Sequence, residues 1–323
     1  RISTATWMHD PTYLCRKGDA MPLCRLVAAA TLCLIAAAAP GTAEIEPVTY
    51  VEVSPSVVMA ENPNGSNITC IALEDGLLFV DAGLVTSLAA DFRSDMERRF
   101  DRPTTHLILT HGHIDHIFAM GAFADVEVVA AASEKALFEQ QLAIEWDDKN
   151  IATWSAIFPA FVDAVTTADP FLPTRWVEGE TAFGSGDRRA VFSTTGGHTE
   201  GSSAVWLPSE RVLVTGDLVQ VDRYPYFGDQ SNDLDAWITA LKEWYALEPA
   251  TICPGHGRVV ERDYLRLEWE YFSALDTALR ELKVKNLPVE EAAFHDSLPA
   301  GYWPEQPEPR WWRYCIAKHY QGL

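Results

Sequence analysis

The alternation of apolar and polar positions divides the chain into short β-rich runs and longer helical stretches. After Thr49, Tyr50-Val51-Glu52-Val53 and Val57-Val58-Met59 carry β-branched residues, and residues 62–67 are dense in turn formers. Residues 68–73 and 77–80 read as a hairpin around Glu74-Asp75-Gly76. Leu88, Phe92, Met96 and Phe100 then recur at helical spacing with charges between them. Residues 105–110 and 126–130 are short buried strands, so strand, helix and strand alternate as in a helix-covered sheet. Residues 132–170 are helical in character and carry Phe138, Trp146, Trp154, Phe158 and Phe161. They form either an ordinary helical pair on the core or a cover whose aromatics wall a pocket.

The second half returns to strands at 190–194, 203–207, 211–215 and 250–253. Asp233 caps a helix with Leu234, Trp237, Ile238, Leu241, Trp244 and Tyr245 on one face. Leu265, Trp269, Phe272, Leu279 and Leu282 belong to a long closing helix. The tail holds Trp303, Trp311, Trp312 and Tyr314, and this aromatic content implies that it docks on the domain.

At 323 residues, with 48% hydrophobic and 22% charged content, the chain has ample material for a large core and is not a disordered protein. The formal net charge of −21 argues against non-specific binding to nucleic acid or to anionic membranes. Cys15, Cys24 and Cys33 lie near the start. Cys70, Cys253 and Cys315 are widely spaced, which suits isolated thiols or one bridge, not a disulfide framework.

Residues 1–20 show no clear periodicity and are expected to be upstream or fragment sequence. Within 21–43, Arg25 precedes an uncharged, mostly apolar run at 26–39, followed by small residues at Gly41-Thr42-Ala43. This is the pattern of a secretory signal peptide, and the run is short for a membrane span. The expected mature chain starts near Glu44, is periplasmic or secreted, and has no stable membrane insertion once the leader is cleaved. It divides into a main domain at 44–260, containing the helical insert at 132–170, and a C-terminal helical extension at 261–323.

The chemistry concentrates at Thr110-His111-Gly112-His113-Ile114-Asp115-His116. Three of the chain's nine histidines fall in six positions, on a loop leaving a strand. Imidazole nitrogen and carboxylate oxygen are the ligands of a borderline cation such as zinc. One ion could not use all four groups and still keep an open position. Downstream, His198 in Gly-His-Thr, Asp217 in Thr-Gly-Asp and His256 in Pro-Gly-His-Gly each follow a strand and a glycine. Sites in α/β folds gather at such strand ends. Asp81, before Ala82-Gly83, is either a turn residue or a group supporting the site.

Together these motifs resemble the metallo-β-lactamase superfamily over roughly residues 48–260. The resemblance implies an αββα sandwich of two mixed sheets flanked by helices. It implies one metal on His111, His113 and His198, a second on Asp115, His116 and His256, and Asp217 between them. Zinc is the expected metal, two ions per chain, with iron or manganese as alternatives. A hydroxide shared by the ions would be the nucleophile, with Asp115 orienting it and passing a proton. Asp81 would hold a ligand histidine, and Tyr224 would donate to the oxyanion. Aspartate at the bridging position resembles glyoxalase II and lactonases. The expectation is therefore a hydrolase of an ester, thioester or lactone bond in a small-molecule substrate. A β-lactamase, a persulfide-dioxygenase-like iron enzyme and a non-catalytic metal binder are the rival readings.

Overall fold

The computed structural model describes residues 45–186, 188–299 and 309–323. The leader region expected at 21–43, the stretch 1–20 and Trp303 lie outside the described residues. Two mixed sheets stack face to face. The first has seven strands in sequence order, β1 (Thr49–Ser54), β2 (Val57–Glu61), β3 (Ile68–Ala72), β4 (Leu77–Val80), β5 (Thr104–Ile108), β6 (Glu127–Ala131) and β7 (Arg175–Val177). Its first four strands pair antiparallel and its last four parallel. The second sheet runs β12 (Thr251–His256), β11 (Val212–Gln220), β10 (Ser203–Leu207), β9 (Ala190–Thr194) and β8 (Glu180–Phe183). Only its β11–β12 pair is parallel.

Between the sheets, Met59, Ile71, Leu78, Val80 and Ile108 meet Phe192, Val205, Val212, Val214 and Cys253. Strands buried on both faces explain the near-continuous apolar runs of β2, β3 and β4. Helix α1 (Thr86–Phe100) covers the outer face of the first sheet with Ala89, Phe92 and Met96. The second sheet is covered by α6 (Leu234–Ala246) and the 22-residue α7 (Asp263–Val284). Asp233 caps α6, its Oδ1 accepting from the Ala236 N–H at 2.9 Å. The αββα sandwich follows directly from these four layers.

The region at 132–170 forms three short helices, α3 (Lys135–Leu142), α4 (Asp148–Ser155) and α5 (Phe161–Thr167). Phe161 is fully buried and stacks 5.3 Å from Phe118, with Trp146 also 5.3 Å from Phe118. These aromatics therefore seat the short helix α2 (Ile114–Ile117), which carries the histidine loop. Beyond α7, a short α8 (Val289–Ala292) precedes α9 (Arg310–Gly322). Trp312, Cys315, Ile316 and Tyr320 of α9 are buried in the same cluster as α6 and α7. Cys70, Cys253 and Cys315 are free and buried.

The strand pattern missed β7 and β8, which are three and four residues long. It also ended the 211–215 strand too early. β11 continues through Gly216-Asp217 to Gln220, with register shifts around Gly216. Gly216 has φ of 51°, a left-handed bulge that turns Asp217 out while the strand goes on.

Candidate metal centre

The candidate ligands sit where a strand ends or bulges, or on the short helix that follows one. β5 delivers His111 and His113, α2 holds Asp115 and His116, and the β9–β10 loop carries His198. Asp217 projects at the β11 bulge, and His256 closes β12. All seven meet. Three overlapping triads have ligand atoms within 4.8 Å of one another: His111, His113 and His198; His111, His116 and Asp217; Asp115, His116 and His256. Each triad could hold a metal ion.

The proton positions decide what these contacts mean. The Thr110 hydroxyl donates to Asp81 Oδ2 at 2.9 Å, so its lone pair is left for the His111 Nδ1–H at 3.1 Å. The His198 Nδ1–H donates to the Tyr226 carbonyl at 2.8 Å, and the His113 Nε2–H faces Asp229 Oδ2 at 3.2 Å. Each ring thus spends its proton on an outward partner. The inward nitrogens carry lone pairs: His111 Nε2 and His198 Nε2 both lie 3.0 Å from His113 Nδ1. Three lone pairs at that separation repel one another unless a cation lies among them.

The other side repeats the pattern. The His116 Nδ1–H donates to Asp81 Oδ2 at 2.8 Å, so a cation that displaces the other ring proton would find the Nε2 lone pair. That Nε2 is 3.0 Å from Asp217 Oδ1, yet both atoms are buried without a hydrogen bond. A cation shared by the two would take a lone pair from each. His256 Nε2 lies 3.1 Å from Asp115 Oδ2 and 3.4 Å from Asp217 Oδ1. Asp217 Oδ2 in turn is 3.7 Å from His198 Nε2, so this carboxylate lies between the outer triads with an oxygen toward each. The donor set fits a borderline divalent cation.

Titration in the metal-free chain reflects the same crowding. Burial, then the charges of its histidine neighbours, hold His111 well below the ordinary imidazole value. Burial pushes His198 down to about 4, with His113 adding to the effect. For His116, burial opposes the charge, but Asp217, Asp81 and Asp115 outweigh it and raise the ring well above its usual value. Asp217 is held well below the carboxylate range because His256 and His116 overcome its burial.

The sequence placed Asp81 near the site, and the structure gives it a positioning task. It accepts from the Thr110 N–H at 2.8 Å and fixes the His116 ring at 2.8 Å, and it is not among the groups placed to hold a cation. Tyr224 is a correction. It is buried in the apolar cluster with its ring 4.9 Å from Trp312. The ring 6.1 Å from both His113 and His198 is that of Tyr226.

Two carboxylates escaped the sequence reading. Asp229 orients His113. Glu134, just past β6, is 1% exposed and ties two ligand loops together: Oε2 accepts from the Gly112 N–H at 2.8 Å, and Oε1 accepts from the Gly201 N–H and the Thr199 hydroxyl, both at 2.7 Å. The mark Glu134 carries in the chain is its place after a strand end, which does not separate it from an ordinary surface glutamate. The turn at 62–67 is also a brace. The Ser66 hydroxyl holds the Asp115 carbonyl at 2.8 Å, and the Asn67 amide donates to the Pro254 and Gly257 carbonyls at 3.0 and 2.8 Å. A side chain at Gly255 would collide with Asp217 Oδ1, so glycine is required there.

The family model described as the metallo-beta-lactamase superfamily matches residues 62–256. A metallo-beta-lactamase type 2 of Bacillus sp. (strain 170) is 23% identical over 212 residues, which are 62% of this chain and 70% of that protein. Among solved structures, a metallo-beta-lactamase from Pontibacter korlensis superposes with a TM-score of 0.54 at 18% identity, over 70% of this chain and 99% of that one. The metallo-beta-lactamase FIM-1 of Pseudomonas aeruginosa, in a mono-zinc form, gives 0.55 at 19% identity, over 73% and 98%.

Proposed function

This chain belongs to the metallo-β-lactamase superfamily and is a metal-dependent hydrolase; from that premise we propose that two zinc ions complete its active site and that it cleaves an ester, thioester or lactone bond. The observation that carries the two-ion reading is the Asp217 carboxylate, which has one oxygen beside His116 and His256 and the other toward His198. Zinc, when bound, polarises a carbonyl as a Lewis acid and lowers the pKa of water from 15.7 to about 7.

The chain's own groups do the rest. His111, His113 and His198 would hold the first ion and, being neutral, leave its charge undiminished. Asp115, His116 and His256 would hold the second, and Asp217 would serve both. Asp115 Oδ2 is placed on the ligand side of the cluster, 3.1 Å from His256 Nε2, where it can orient an attacking water and carry its proton to the leaving group. Asp81, Glu134 and Asp229 keep the ligand rings and loops in register before substrate arrives. The bridging aspartate resembles glyoxalase II and lactonases and supports the ester class.

A second reading, β-lactam hydrolysis, is favoured by the likeness to the Bacillus metallo-beta-lactamase type 2. The zinc-loaded protein separates the two readings on a panel of esters, thioesters and lactones set beside a chromogenic cephalosporin. Turnover of the first group, lost in His198→Ala, supports the proposal. Turnover of the cephalosporin alone overturns the ester assignment in favour of the second reading. The leader pattern at 21–43 supports export, and amino-terminal sequencing of the mature protein at or near Glu44 would establish it.

A further inference from the structure

Residues 226–229 lie between the metal ligands and the C-terminal helix, and each of them faces one or both. The Tyr226 carbonyl fixes His198 at 2.8 Å, while its ring meets Trp311 edge-on at 5.6 Å. Phe227 is 1% exposed and packs 5.1 Å from Trp312 and 6.4 Å from His319. The Gly228 carbonyl accepts from Lys318 Nζ at 2.8 Å. Asp229 holds His113 at 3.2 Å and is itself held by the Ser231 N–H and hydroxyl at 2.8 and 2.7 Å. The segment thus grips two of the three histidines of one triad on one side and is gripped by α9 on the other. The matched family region stops at residue 256, and α9 lies beyond it.

We propose that α9, through Lys318 on Gly228 and Trp311 on Tyr226, is a positioning element for the three-histidine metal position. It fixes the 226–229 segment and with it the orientation of His113 and His198. An ammonium group hydrogen-bonded to one carbonyl, with two indoles packed on adjacent rings, resists both translation and rotation of the segment. Without that hold, the outward partners of two imidazoles move, and their lone pairs no longer converge. The second position, on Asp115, His116 and His256, draws on Asp81, Ser66 and Asn67, with no hydrogen bond to α9 among the described residues.

This inference rests on the two-ion reading, and the experiment separates their failures. Metal-free wild type, Lys318→Met, Lys318→Arg and Trp311→Ala are titrated with zinc against a chromophoric chelator, and with cobalt to assign each position from its visible spectrum. Wild type that takes fewer than two ions ends the two-ion reading. The tether is then judged on the metal-free proteins, by the His113 ring N–H resonance held by Asp229. The expected result is a three-histidine position weakened at least tenfold in Lys318→Met and Trp311→Ala, the other position within twofold, and recovery in Lys318→Arg. The His113 resonance is expected to broaden in the Met variant. Equal weakening of both positions, or unchanged affinity with an unchanged His113 resonance, overturns the proposal.

Discussion

Asp81 adopts φ of 60°, a left-handed conformation that costs most side chains about 1 kcal/mol or more and that aspartate tolerates better than most. The strain places its two oxygens where they take the Thr110 amide, the Thr110 hydroxyl and the His116 ring. Asp81→Ala is therefore expected to weaken the metal position served by His116 by roughly 10- to 100-fold, as loss of such supporting groups does. Zinc competition measures this, and an affinity within twofold of wild type would contradict the assigned task. The seven candidate ligands, which the fold brings together, were legible because histidine and aspartate next to a strand end and a glycine are chemically conspicuous. Tyr224 and Tyr226 were not separable, since both flank Pro225 in a loop and their different ring neighbours, Trp312 for one and His113 and His198 for the other, exist only in the folded chain.

Among elements, the β9–β10 loop and the histidine loop are joined by Glu134, beside a backbone bond from the Ser203 N–H to the Thr110 carbonyl at 3.0 Å. Burial raises the Glu134 carboxyl above its ordinary value, while the donors from Thr199, Gly201 and Gly112 oppose that shift. All three groups donate, so an amide in its place turns an N–H against an N–H. Glu134→Gln is expected to cost about 1–3 kcal/mol of stability by leaving a buried donor unpaired. Chemical denaturation at saturating zinc checks this, and a change below about 0.5 kcal/mol, the range of ordinary surface substitutions, would contradict it. Strands and helices with long apolar periodicity were readable from the chain. β7, β8 and the carboxylates at 134 and 229 were not, because a three-residue strand has no period and a brace is defined by what it touches in space.

At the scale of the whole molecule, one buried acid reports on the packing of α7 against the second sheet. Glu268 is fully buried, and neither carboxyl oxygen has a hydrogen bond of ordinary geometry, the Gln220 backbone being its nearest polar neighbour of note. Burial raises its carboxyl well above the usual range, with the Gln220 backbone opposing. An unfolded glutamate ionises near about 4.3, so above that pH the native state binds one proton more than the unfolded chain. This group's contribution is then complete below the unfolded value and is lost as pH rises through the folded one. Glu268→Gln removes the difference, and its stability relative to wild type is expected to climb as pH rises above about 4.3, by at most about 1.4 kcal/mol per pH unit. A pH-independent difference would contradict the buried neutral acid. The sandwich, the docked C-terminal helix and the convergence of both halves of the chain all serve one claim, that this fold assembles a two-ion centre on Asp217. Zinc titration of the metal-free chain, read by elemental analysis after gel filtration, tests it most directly. The account predicts close to two zinc ions per chain in wild type and a marked loss of the second in Asp217→Ala; saturation at a single ion, or no retained zinc, would contradict it.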